Sequence, residues 1–161
     1  MPHLTMQGRN IKTEITHFKF MNYKDYALII GIDPGVHTGI SCWHKAEKRL
    51  LWVECHPAVE AEILVLKMAA EGRNIWVRFE DARLRKWFGN AGREQLQGAG
   101  SIKRDCQRWE EFLTYHNIPF EKVAPRNNRT KMTANAFKML TGWHGKTNEH
   151  GRDSASLIIG L

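Results

Sequence analysis

The stretch that most constrains this chain is residues 27–40, Ala-Leu-Ile-Ile-Gly-Ile-Asp-Pro-Gly-Val-His-Thr-Gly-Ile. Ala27 to Ile32 is a short apolar run rich in branched side chains, which predicts a strand buried on both faces. Asp33 ends the run. A carboxylate at the end of a buried strand needs a partner, because an unpaired buried charge is costly. Pro34-Gly35 stops the strand in a tight turn. Gly35 and Gly39 carry no side chains, so a phosphate or a second strand could approach the backbone there. Thr38 adds a hydroxyl between them. Taken alone, Asp-Pro-Gly is a hairpin turn capped by Asp33. A strand-borne carboxylate presented to a metal gains weight only if further carboxylates occur at suitable places.

Along the chain, three strands are expected as a meander at about 27–33, 38–43 and 49–54, with Lys45-Ala46-Glu47-Lys48 as the second turn. Pro57 opens a helix over about 58–71, with Val59, Ile63, Leu66 and Ala70 at helical spacing and Gly72 just past its end. Residues 74–79 read as a fourth strand, followed by Glu80-Asp81. The helical crossover makes strand four parallel to strand one, so Asp33 and Glu80 fall at the same end of neighbouring strands. Residues 81–100 form a basic, aromatic, glycine-rich segment containing Arg83, Arg85, Lys86, Trp87, Phe88 and Arg93. A helix over about 101–116 places Ile102, Cys106, Trp109, Leu113 and His116 on one face, widened by Phe112. A fifth strand at 120–123 leads to a basic loop with Arg126, Arg129 and Lys131. A helix over about 131–143 is expected to bury Met132, Ala136, Met139, Leu140 and Trp143, and a last helix starts near Glu149. Residues 1–25 are polar and without a clear period. They read as an N-terminal extension, whether a disordered arm, an added strand or an upstream start, ahead of one domain over 26–161.

The closing segment, Asn148-Glu149-His150-Gly151-Arg152-Asp153-Ser154-Ala155, supplies the further acids. His150 and Asp153 are three apart on a helix and face the same way, and Glu149 is four from Asp153. Alone, this is an acidic first helical turn complementing the helix dipole. Together with Asp33 and Glu80, it puts carboxylates from three separate elements in play. Clustered carboxylates repel one another without a cation. Mg²⁺ prefers such oxygen ligands and keeps several waters. Two ions ~3.5–4 Å apart can stabilise the attacking and leaving oxygens of an in-line phosphoryl displacement.

Gly31, Ile32, Asp33, Pro34, Gly35, Thr38 and Gly39 resemble the first motif of the RuvC family of Holliday-junction resolvases, within the ribonuclease-H-like superfamily. Sugar kinases and actin-like ATPases carry a similar strand-turn-strand, but they need two such domains, and 161 residues suit one. The strand, strand, strand, helix, strand order resembles the opening of the ribonuclease H fold. The likeness continues with Glu80 as second acid, with Asp153 and its Asp-Ser-Ala run as final acid, and with His150 where the family has Asp or His. Gly98-Ala99-Gly100 and Val123-Ala124-Pro125 also resemble the family. Asp81 competes with Glu80 for the second position, and the 81–97 loop departs from the bacterial resolvase pattern. The chain ends early, as compact phage-type members do.

The resemblance implies an α/β, ribonuclease-H-like fold with a five-stranded mixed sheet flanked by helices. It implies a homodimeric, Mg²⁺-dependent endonuclease that cuts four-way DNA junctions in recombination and repair, with Mn²⁺ able to substitute. Asp33, Glu80 and Asp153 would hold the ions, and His150 would be a ligand or orient the attacking water. Lys131 or a neighbouring arginine would steady the scissile phosphate. Arg83, Arg85, Lys86, Arg93, Arg126, Arg129 and Lys131 would contact DNA, while Trp87 and Phe88 would stack on bases or pack under their own loop. The 101–116 helix offers a candidate dimer surface. A ribonuclease H, another branched-DNA nuclease and a catalytically silent nucleic-acid-binding module are the rival readings.

Composition agrees with a polyanionic partner: 24 Lys+Arg against 17 Asp+Glu give a net charge of +7 and a pI near 9.5. Three cysteines, Cys42, Cys55 and Cys106, without a Cys-x-x-Cys, suit a reducing cytoplasm. Cys42-x-His44 and Cys55-His56 fit no common zinc spacing. No apolar run approaches the ~20 residues of a membrane span, and the polar N-terminus shows no secretory signal.

Overall fold

The computed structural model describes residues 22–85, 93–125 and 131–161, with the backbone alone for 93–97 and 99. The elements are β1 (Leu28–Asp33), β2 (His37–His44), β3 (Arg49–Pro57), α1 (Ala58–Ala70), β4 (Ile75–Glu80), α2 (Arg93–Tyr115), β5 (Phe120–Val123), α3 (Ala134–Thr141) and α4 (Glu149–Ser156). The five strands form one mixed sheet in the order β3-β2-β1-β4-β5. β2 runs antiparallel to β1 and β3, whereas β1, β4 and β5 are parallel. The meander, the crossover helix and the parallel fourth strand are those expected from the sequence, and β3 runs on to Pro57. Among the described residues no helix is long and apolar enough to cross a membrane.

Period-two alternation divides the sheet between two cores. Ile30 and Ile32 of β1 join Val77 and Phe79 of β4 under α1 and α2, where Val65, Cys106, Trp109 and Leu113 pack. Ile29 and Trp76 point to the opposite face and pack with Ala155, Leu157, Ile158 and Phe137. β1 is covered on both faces, which explains its unbroken apolar run. Ahead of it, a 3-10 turn at Tyr23–Asp25 brings Tyr23 and Tyr26 to the second core.

The helices depart from expectation in their faces. α1 buries Ala61, Val65 and Met68, while Val59 and Ile63 are 54% and 61% exposed and Ala70 is also exposed. The helix sequence is apolar on both stripes, so spacing alone does not choose the one that meets the sheet. α2 begins at Arg93, inside the segment expected to be loop; Gly98 and Gly100 lie in open surroundings and weaken the helix without blocking it. Cys106, Trp109 and Leu113 pack on the sheet of their own chain, so they are not a free dimer surface. α3 is shorter than expected, held between the Thr133 N-cap and a left-handed Gly142. It buries Phe137; Ala136, Met139 and Leu140 face outwards.

Candidate functional site

Asp33 and Glu80 are the last residues of β1 and β4. Ile32 pairs with Phe79 in the parallel register, so the two acids occupy the next level of adjacent strands. Alternation puts Asp33 on the face of Ile29 and Gly31, and Glu80 on the face of Trp76 and Arg78. These are the same face. The Arg78 guanidinium marks it by donating to the Leu157 carbonyl, 2.9 Å away, just after α4.

α4 lies directly on the backbone of this face. A Cβ on Gly39 would collide with the His150 carbonyl, and one on Gly31 with the Ser154 carbonyl. From the helix side, a Cβ on Gly151 would lie 3.0 Å from Val53 Cγ1 and 3.2 Å from the Glu54 carbonyl. The buried Ser154 hydroxyl is 3.0 Å from that of Ser41 and also donates to the Gly151 carbonyl. Asn148 caps the helix by accepting from the Gly151 amide. Arg152 ties it to the preceding segment by donating to the Met132 and Thr147 carbonyls. Gly31 and Gly39 of the first motif therefore make room for a helix, whereas a Cβ on Gly35 would meet only the His37 backbone of its own turn. Thr38 is buried and donates to the Gly35 carbonyl at 2.8 Å, closing the turn after β1.

This seat delivers His150 and Asp153 to Asp33. His150 Nδ1 lies 3.0 Å from Asp33 Oδ2. Burial raises the Asp33 carboxyl above its ordinary range; the His150 hydrogen bond opposes this, Asp153's charge adds to it, and the charges of His150 and Lys131 draw it down. Lys131 pairs with Glu149 at the start of α4. Asp33, His150, Asp153 and Lys131 thus share one site, with Glu80 beside them on the next strand. Among the described residues, no group of three or more His, Cys, Asp and Glu forms a ready metal cage. Carboxylate oxygens on two strands and a helix suit a hard cation that retains its own water better than one needing a complete protein shell.

Asp81 points elsewhere. Its carboxylate is 1% exposed and takes a two-pronged ion pair from Arg83, at 2.8 Å from Nε and 2.7 Å from Nη2. Arg83 also pairs with Glu110, which Lys122 meets at 2.6 Å. Burial alone would raise the Asp81 carboxyl, but Arg83 and Lys122 hold it below the usual range. Of these two neighbouring acids, strand alternation puts Glu80 on the face that α4 covers and Asp81 on the Arg83 side. Arg83, expected on phosphates, is engaged in this ion-pair network instead. Arg85 is exposed, and Arg93 lies in the first turn of α2. Lys86, Trp87, Phe88, Arg126 and Arg129 lie outside the described residues.

The sequence names Gly31, Gly151, Arg152 and Ser154 within its motifs but not their role as a seat for α4, and it singles out nothing at Ser41. Small residues at 151, 154 and 155 were its available signal. The chain matches no protein-family model, and no curated protein matches its sequence.

Proposed function

We propose that this chain is a Mg²⁺-dependent, structure-selective DNA endonuclease of ribonuclease-H-like fold, resolving Holliday junctions by paired phosphodiester hydrolysis as a homodimer. One observation carries the reading: Asp33 at the end of β1 is met by His150 and by the charge of Asp153 from α4, with Glu80 at the same level of the neighbouring strand. The strand order β3-β2-β1-β4-β5 with α4 across it supports the fold, and the net charge of +7 supports a polyanionic substrate.

Asp33, Glu80 and Asp153 would hold the metal, with His150 as a further ligand or a positioning group. The half-buried Asp33 carboxyl beside Asp153 is the kind of site a cation relieves. When bound, Mg²⁺ polarises the phosphate and stabilises the charge of the attacking and leaving oxygens. The protein's own residues fix the geometry: His150 orients the Asp33 carboxylate through Nδ1, Gly31 and Gly39 set the depth of α4, and Lys131 adds positive charge at the rim.

Ribonuclease H activity and cleavage of other branched DNA would use the same metal site, so substrate choice is the informative measurement. Cleavage is assayed on a four-way junction, a fork, a duplex and an RNA–DNA hybrid, with and without Mg²⁺. Metal-dependent, symmetrically placed cuts in the junction are expected. Hybrid cleavage without junction cleavage would replace the resolvase reading with ribonuclease H. DNA binding without cleavage of any substrate would leave a silent binding module.

A further inference from the structure

Beyond the acidic site, the segment between α3 and α4 forms a built surface that no other described element covers. Lys138 and Asn135 of α3, with Trp143, His144, Gly145 and Lys146, line a cavity of about 500 Å³. A second cavity of about 370 Å³ shares Lys146 and Thr147 and extends to Asn148 and Gly151, the first turn of α4, with Val53, Glu54 and Cys55 of β3 as its other wall. The two form a path from α3 to the helix that carries His150 and Asp153.

The larger cavity has no acidic residue in its lining. Lys138, His144 and Lys146 are exposed, and both lysines are without an ion pair among the described residues. The walls are nevertheless fixed. Gly142 ends α3 in the left-handed conformation, and the Trp143 amide donates to Thr141 Oγ1 at 3.1 Å. Arg152 holds both the carbonyl and the hydroxyl of Thr147. Gly145 lies against the Trp143 indole, where a Cβ would come within 2.8 Å of Nε1, and that buried indole N–H has no hydrogen-bond partner among the described residues. Exposed lysines around a fixed cavity whose lining holds no acid suit the phosphates of a nucleic-acid strand, and Glu54 marks the side of the second cavity that the strand would avoid.

We infer that the groove formed by Lys138 and the 143–147 segment binds the sugar-phosphate backbone of the DNA strand leading to the Asp33 site. This rests on the endonuclease reading and names a contact surface for its substrate. Lys138 and Lys146 neutralise phosphates, and the groove gives the strand its direction toward α4.

The test measures binding of a labelled four-way junction to the full chain by fluorescence anisotropy, in EDTA, across a salt series. It compares wild type, Lys138→Gln/Lys146→Gln, and a control of equal charge change on other surfaces, Lys48→Gln/Lys67→Gln, with thermal melting to check that each is folded. The groove variant is expected to bind about tenfold more weakly. Its slope of log affinity against log salt should be shallower by roughly 1.4–1.8, as two lost phosphate contacts require. The control should stay within about twofold of wild type. Wild-type affinity and slope in the groove variant, or equal weakening in the control, overturns the groove while leaving the endonuclease reading in place. No DNA binding by the wild-type chain at low salt overturns both.

Discussion

Asp33 is the residue on which the proposed chemistry depends most, because it is half-buried, raised by that burial and by Asp153, and touched by His150. Asp33→Asn keeps the size and the hydrogen bonding but removes the charge that would hold a cation. Cleavage should fall to background in a gel assay, while junction binding is retained or strengthened through loss of a repulsive charge. An active Asp33→Asn enzyme would falsify the metal site. Gly39 tests the geometry rather than the charge. Gly39→Ala drives a methyl into the His150 carbonyl, so α4 must lift. Overpacking of this kind costs about 1–3 kcal/mol, and the displaced helix should lower cleavage more than it lowers the melting temperature. A variant with wild-type melting and wild-type rate would show that the depth of α4 is unimportant. The Asp33 carboxylate was legible in the sequence because an acid ending an apolar strand is conspicuous. The role of Gly39 was only half legible, since a missing side chain signals close approach without saying what approaches.

At the scale of elements, β4 ends in two acids with opposite assignments, and the ion pairs beyond it fix which is which. Arg83 joins Asp81 after β4 to Glu110 of α2, and Lys122 of β5 completes the network. Arg83→Gln leaves the Asp81 carboxylate buried without its partner. The expected loss is about 3 kcal/mol, the low end for a broken buried pair, because Arg83 itself is 27% exposed. The pH dependence follows from the depressed carboxyls of Asp81 and Glu110. Groups held below their unfolded values stabilise the fold fully above the ordinary carboxylate range, and that contribution is lost as pH falls through the lower folded values. Wild type should therefore lose more stability than Arg83→Gln when urea melts at pH 7 and pH 3 are compared. Adding Asp81→Asn to Arg83→Gln should recover part of the loss at pH 7. Parallel acid profiles for the two proteins would remove the network from the stability of β4. The sequence showed the strand and both acids. It did not show their faces, because the choice depends on where Arg83 and α2 lie. The faces of α1 and α3 were obscure for a related reason: Val59 and Ile63 fit a helical period as well as Ala61 and Val65, and only packing selects between them.

At the scale of the molecule, the proposed reaction sets a requirement on assembly. Resolving a four-way junction takes two strand cuts of matching polarity, and one chain offers one acidic site. A two-fold dimer would place two identical sites on a two-fold substrate, and closed two-fold dimers are the commonest oligomers. The interface cannot be the central α2 stripe, since Cys106, Trp109 and Leu113 are fully occupied by their own sheet. A dimer of this kind would draw on surface that the described monomer leaves uncovered. Light scattering at micromolar concentration, with and without a four-way junction, is expected to report a dimer in at least the DNA-bound state. Paired cuts should then appear within the lifetime of one complex, which a supercoiled cruciform substrate reports as linear rather than nicked product. A monomer in both states would overturn the two-fold arrangement, and nicked product alone would then mark a branched-DNA nickase working one strand at a time.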